Sequence, residues 1–89
     1  MNILLVEDDP YLGMMMKELF EARSYKVTLC VDGEDGFRKY GESKPDICVL
    51  DVMLPLSDGF TLAKQIRQVD KLTPIIFTTA RSMKEDVMK

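Results

Sequence analysis

The sequence predicts a three-layer α/β fold, a doubly wound parallel sheet with helices on both faces, and three features carry that prediction. Ile3-Leu4-Leu5-Val6, Ile47-Cys48-Val49-Leu50 and Ile75-Ile76-Phe77-Thr78 are short runs with scarcely a polar side chain, the pattern of strands covered on both sides. Stretches of helical spacing lie between them, and strands that alternate with helices pair in parallel through right-handed crossovers. The first two runs end abruptly in acids, Glu7-Asp8-Asp9 and Asp51. In such a sheet the carboxyl ends of the strands share one edge, and ligands bind there, where the winding direction reverses.

After the first strand, Pro10 suits the opening turn of a helix over 10–23 with Asp9 as its cap, because proline has a preset φ and lacks only an N–H that the helix would orphan. Leu12, Met15, Met16, Leu19 and Phe20 follow one apolar face, so Met15 and Met16 are expected to fill core and not to bind a soft metal. Tyr25 to Cys30 alternates, with Val27 and Leu29 inward, as a strand at or near a sheet edge does. Asp32-Gly33 opens a weaker helix to about Glu42, in which Gly36 costs roughly 1 kcal/mol against alanine. Phe37 and Tyr40 are its expected anchors. Lys44-Pro45 breaks the chain before the strand that ends at Asp51. Asp58 can cap a third helix, with Leu62, Ile66 and Val69 on its inner face. The strand from Ile75 is expected to be buried, and Met83 to Lys89 can start one more helix.

With 89 residues, 46% apolar and 30% charged, the chain has material for one core and one domain, 1–89. A net charge of -3 and the absence of histidine exclude the broad positive field that grips phosphodiester backbones unaided. No apolar run reaches the length of a bilayer, and Met1-Asn2-Ile3 enters a strand without the basic flank of a signal peptide; a cytoplasmic location, away from membranes, is expected. Cys30 and Cys48 both sit inside apolar strand patterns, which suits reduced core thiols better than a disulfide or a metal pair.

The strand ends deliver Glu7 and Asp8, then Asp51, then Thr79, to one edge. Hard divalent cations take oxygen ligands, and Mg2+ typically uses one or two carboxylates together with waters and phosphate oxygens. A cation would offset the mutual repulsion of the acids and let a phosphoryl group approach Asp51, a carboxylate nucleophile able to form an acyl phosphate. The Thr79 hydroxyl could then donate to a phosphoryl oxygen, and the backbone carbonyl of Met53 is a further candidate metal ligand. Singly, these residues are ordinary caps and turn formers. Their coincidence at three strand ends is what points to chemistry.

Three stretches resemble the receiver domains of two-component response regulators: Ile3-Leu4-Leu5-Val6-Glu7-Asp8-Asp9-Pro10; Pro45-Asp46-Ile47-Cys48-Val49-Leu50-Asp51-Val52-Met53-Leu54-Pro55 with Asp58-Gly59-Phe60; and Pro74-Ile75-Ile76-Phe77-Thr78-Thr79-Ala80. The resemblance implies a flavodoxin-like strand order, 2-1-3-4-(5). It implies Asp51 as phosphoacceptor, Asp8 as a direct ligand of Mg2+ (or Mn2+), Glu7 as a second acid acting largely through water, Thr79 as the switch hydroxyl and Ala80 as the small residue beside it. The wording from Leu54 to Phe60 is similar to transcription factors of the OmpR/PhoB type, in which a DNA-binding output domain follows. The implied partners are a sensor histidine kinase, a second copy in a homodimer, and DNA through that output domain. A signalling phosphoacceptor is expected, not an enzyme in the usual sense.

Family receivers continue through a complete fourth helix, a fifth strand with a lysine at its end and a fifth helix. None of these is in the 89 residues, so the domain is expected to be incomplete at its C-terminus. Two other classes compete. A haloacid-dehalogenase-type phosphatase also uses an aspartyl nucleophile, but wants a second acid two residues on, where Asp51-Val52-Met53 has none. A pseudo-receiver, a binding module that is never phosphorylated, shares the fold without the activity. A flavin-binding flavodoxin is excluded by acids in the loop that would have to cradle a phosphate.

Overall fold

The computed structural model describes residues 1–54 and 58–78. Strands and helices alternate: β1 (Asn2–Val6), α1 (Pro10–Glu21), β2 (Lys26–Cys30), α2 (Gly33–Ser43), β3 (Ile47–Asp51), α3 (Gly59–Val69) and β4 (Ile75–Thr78). Among the described residues the strands form one parallel sheet in the order β2-β1-β3-β4, as expected. The chain winds one way through β2 and the other way through β3, so the reversal falls between the ends of β1 and β3. The stretch from Met83 to Lys89, expected to begin a helix, lies outside the described residues.

Successive strand residues face opposite sides of a sheet, and the core divides accordingly. Ile3, Leu5 and Val49 face α1, where Met16 and Phe20 cover them. Leu4, Val6, Cys48 and Leu50 face the other way and pack with Leu62 and Ile66 of α3 and Tyr40 of α2. Each helix starts where the sequence places a cap. Asp9 accepts from the N–H groups of Tyr11 and Leu12 at 3.0 and 3.1 Å, Asp32 from Asp35 at 2.8 Å and Asp58 from Thr61 at 2.7 Å. The Thr61 N–H holds the Asp58 carboxyl below its ordinary pKa. No helix among the described residues is long and apolar enough to cross a membrane.

Several side chains expected in the core lie outside it. Met15 is 43% and Leu19 63% exposed, while the buried line of α1 runs through Gly13. A Cβ on Gly13 would lie 3.2 Å from a Leu29 methyl, so the helix rests on the sheet at its glycine and swings Met15 and Leu19 toward the rim. The same happens in α2, where Gly36 is buried against Val6 and Leu62 and Phe37 is exposed; only Tyr40 of its two expected anchors packs on the core. Val69 ends α3 beyond the sheet and is 68% exposed. β4 is half-covered, contrary to the buried strand expected, with Ile76 and Phe77 exposed, because among the described residues it pairs only with β3 and forms an edge. Phe77 rests on Phe60 of α3, ring centroids 4.8 Å apart. Cys30 and Cys48 are free and buried on strands separated by β1. Burial pushes their thiols up to about 12 and about 11, which leaves them protonated and inert.

α2 and α3 are tied at the end of the sheet remote from the acids. The Tyr40 hydroxyl donates to Asp70 Oδ2, as does Thr73 Oγ1, and the N–H groups of Leu72 and Thr73 donate to Asp70 Oδ1 at 2.9 and 3.0 Å. Thr73, Tyr40 and these backbone donors hold the Asp70 carboxyl well below its usual range; burial, then the bond to Asp70, pushes Tyr40 up to about 12. A depressed carboxylate contributes stability above its unfolded value, about pH 4, and loses it as pH falls through the folded one; a raised tyrosine contributes below about pH 10 and loses it as pH rises further. The tie is therefore intact from about pH 4 to about pH 10. Tyr40→Phe should lower stability in denaturant unfolding at pH 7. That deficit should shrink as pH falls below about 4, and a deficit unchanged down to pH 2 would dismiss the pairing as its source.

Candidate functional site

The acids meet at the carboxyl end of the two central strands. Glu7 follows β1 directly and its N–H donates to the Cys30 carbonyl at 2.9 Å, so the ladder to β2 runs one residue past the strand and holds the Glu7 backbone. Asp8 comes next, and Asp9 turns away to cap α1. Asp51 is the last residue of β3, in register with Thr78 of β4, and the Val52 N–H donates to the Thr78 carbonyl at 3.3 Å. Glu7, Asp8 and Asp51 each offer a carboxylate oxygen, and these atoms all lie within 4.8 Å of one another.

Burial makes that proximity consequential. Glu7 is 3% and Asp51 1% exposed, and a buried charge is costly unless something of opposite sign or a set of donors meets it. One oxygen of Asp51, Oδ1, accepts from the Met53 N–H at 3.1 Å. The other, Oδ2, is buried with no hydrogen-bond partner among the described residues. A divalent cation fits these residues. They are all-oxygen donors, as a hard ion requires, gathered within 4.8 Å of one another.

Three of the residues singled out in the sequence, Glu7, Asp8 and Asp51, are brought together here. Met53 has an exposed side chain, and its N–H orients Asp51, a role for which the sequence offers one signal, the Asx turn an aspartate makes two residues on. Thr79 and Ala80 lie outside the described residues. Gly59 is a contributor that spacing does not reveal: its N–H donates to the Val52 carbonyl at 3.0 Å and ties the start of α3 to the end of β3.

The chain matches the response regulator receiver domain family over residues 3–89. It belongs to that family. The receiver is 47% identical over 89 residues to the transcriptional regulatory protein RprY of Bacteroides fragilis, an alignment covering 100% of this chain and 38% of that protein. It is 38% identical over 85 residues to the alkaline phosphatase synthesis transcriptional regulatory protein PhoP of Bacillus subtilis, covering 96% of this chain and 35% of the relative. The receiver thus spans well under half the length of these curated relatives, and their names accord with the resemblance to OmpR/PhoB-type regulators. Among solved structures, the non-phosphorylated HemR receiver domain from Leptospira biflexa superposes with a TM-score of 0.81 at 38% identity, over 85% of this chain and 61% of that one. A response regulator from Chloroflexus aurantiacus gives the same TM-score at 32% identity, over 85% of this chain and 64% of that one. The receiver is therefore a two-component signalling module with transcriptional regulators among its relatives.

Proposed function

We propose that this receiver is a phosphoacceptor: Asp51 takes a phosphoryl group from the phosphohistidine of a sensor histidine kinase, with Mg2+ (or Mn2+) bound among Glu7, Asp8, Asp51 and the backbone carbonyl of Met53. The observation that carries the reading is the environment of Asp51. Its carboxylate is buried at a strand end beside two further acids, with one oxygen held by the Met53 N–H and the other lacking a hydrogen-bond partner among the described residues.

Transfer forms a bond from an Asp51 carboxylate oxygen to phosphorus as the phosphorus–nitrogen bond of the donor breaks, and the electron pair leaves with the imidazole. The Met53 N–H fixes the carboxylate plane, so the attacking oxygen is presented in one orientation and not as a rotor. Glu7 and Asp8 bind the ion, which when present supplies the positive charge that offsets the acids and the phosphoryl oxygens. Thr79 is the hydroxyl donor to the transferred group, and its bond exists only in the modified state, which makes it the sensor. Residues 1–89 act as one signalling domain in the cytoplasm, away from membranes, with a DNA-binding output domain and a homodimer as the receiving end.

The test is the intact mass of the chain after incubation with Mg2+ and acetyl phosphate, beside an Asp51→Asn variant. A phosphoryl-sized gain in the parent alone is expected. A gain in the variant would move the acceptor elsewhere, and no gain in either would favour the unphosphorylated pseudo-receiver.

A further inference from the structure

Gly59, the first residue of α3, lies against the backbone of Asp51. A Cβ built on Gly59 would stand 2.3 Å from the Asp51 carbonyl oxygen, 3.0 Å from its carbonyl carbon and 3.1 Å from Val52 Cα. The shortest of these is roughly an ångström inside van der Waals contact. All three are main-chain atoms, so no side chain can rotate to relieve the overlap. Conformational freedom does not explain the glycine, since no glycine among the described residues has positive φ. Space does.

The contact is one side of a clamp on residues 51–53. The Gly59 N–H donates to the Val52 carbonyl at 3.0 Å, while from the sheet side the Val52 N–H donates to the Thr78 carbonyl at 3.3 Å. Held between them, the chain turns so that the Met53 N–H meets Asp51 Oδ1 at 3.1 Å. We propose that Gly59 is a positioning residue: its missing side chain lets the first turn of α3 press on the Asp51 carbonyl and so sets the Asp51 carboxylate against Glu7 and Asp8. The inference rests on the reading of Asp51 as phosphoacceptor and assigns a geometric control to that same site. Any side chain at position 59 pushes the end of β3 away, breaks the Met53 bond and opens the acidic triad. A misplacement of about 1 Å at a reacting group can cost on the order of 100-fold in rate.

Two glycines in α2 serve as controls. At Gly41 an added Cβ meets nothing within 4 Å, and at Gly36 it meets side-chain methyls of Leu62 and Val6 at 3.0 Å, which crowds the core without touching Asp51. The parent, Gly59→Ala, Gly36→Ala and Gly41→Ala are compared by Mn2+ affinity, by the amide resonance of Met53, and by the rate of phosphoryl uptake from acetyl phosphate per folded molecule. Gly41→Ala should match the parent. Gly36→Ala should change thermal stability only. Gly59→Ala should lose at least 10-fold in Mn2+ affinity and on the order of 100-fold in rate, with the Met53 amide shifted upfield as its hydrogen bond is lost.

A folded Gly59→Ala with parental Mn2+ affinity and an unmoved Met53 resonance would overturn the inference. If the parent itself takes no phosphoryl group, the phosphoacceptor reading fails, while the metal affinity and the Met53 resonance still judge Gly59. Should Gly59→Ala not fold alone, it is combined with Gly41→Ala and measured with a stabilising osmolyte. A chain that stays unfolded there would assign Gly59 to the fold and not to the site, and would also overturn the proposal.

Discussion

With divalent ions chelated, Asp51→Asn is expected to melt above the parent, and saturating Mg2+ is expected to invert that order. Asparagine keeps an oxygen in place to accept from the Met53 N–H, so the hydrogen bond at 3.1 Å survives. What it removes is one negative charge from a cluster whose ligand atoms lie within 4.8 Å. Relief of like-charge repulsion at that spacing is worth about 1–2 kcal/mol after screening. For a domain of this size that corresponds to a rise of roughly 4–16 °C. Mg2+ at 100 times its dissociation constant stabilises the parent by about 2.7 kcal/mol, a gain that the variant with one carboxylate fewer largely forgoes. Circular dichroism melts in chelator and across a Mg2+ series read both signs. A parent more stable than the variant in chelator would mean that the three acids do not strain the metal-free fold.

Leu62→Ala should be the most damaging truncation in the core, at about 3 kcal/mol. Leu62 is fully buried on α3, where it touches the layer formed by Leu4, Val6 and Leu50. Total stability at roughly 0.05–0.15 kcal/mol per residue leaves little margin after such a loss. One of its methyls lies 3.0 Å from where a Cβ on Gly36 would sit, as does one of Val6, so shortening Leu62 relieves one of the two tight contacts that Gly36→Ala makes. The double variant should therefore be more stable than the sum of the two single effects, with a coupling of about 0.5–3 kcal/mol in urea unfolding. Strict additivity would show that α2 and α3 do not share this contact.

The order of elements and the meeting of the three acids were legible because each rests on a local signal. Asp9, Asp32 and Asp58 precede helices and cap them, and the apolar runs that stop at Glu7 and Asp51 become the two central strands. A helix face was less legible. Periodicity marks a broad apolar arc on α1 and cannot say which part rests on the sheet; Gly13 decides that, and Met15 and Leu19 end up at the rim. Strand burial failed for a related reason, since the run Ile75-Ile76-Phe77-Thr78 reads alike in the middle of a sheet and at an edge. At the site, the carboxylates announce themselves by chemistry. Gly59 contributes by absence of atoms, and its meaning depends on Asp51 being within reach across the loop from β3.

β1 sits between β2 and β3 and precedes both in the chain. No strand of this sheet can pair with a neighbour through a tight hairpin, and each register is closed only after a helix has been traversed. Synthesis proceeds at about 5–20 residues per second, so Ile3-Leu4-Leu5-Val6 waits for roughly 2–10 seconds before its second partner strand has been made. During that interval the stickiest segment of the nascent chain has one open edge or two, and α1, folding locally in microseconds, is the cover available to it. The arrangement that gathers Glu7, Asp8 and Asp51 at the ends of adjacent central strands thus also sets the period in which β1 waits without its second partner strand.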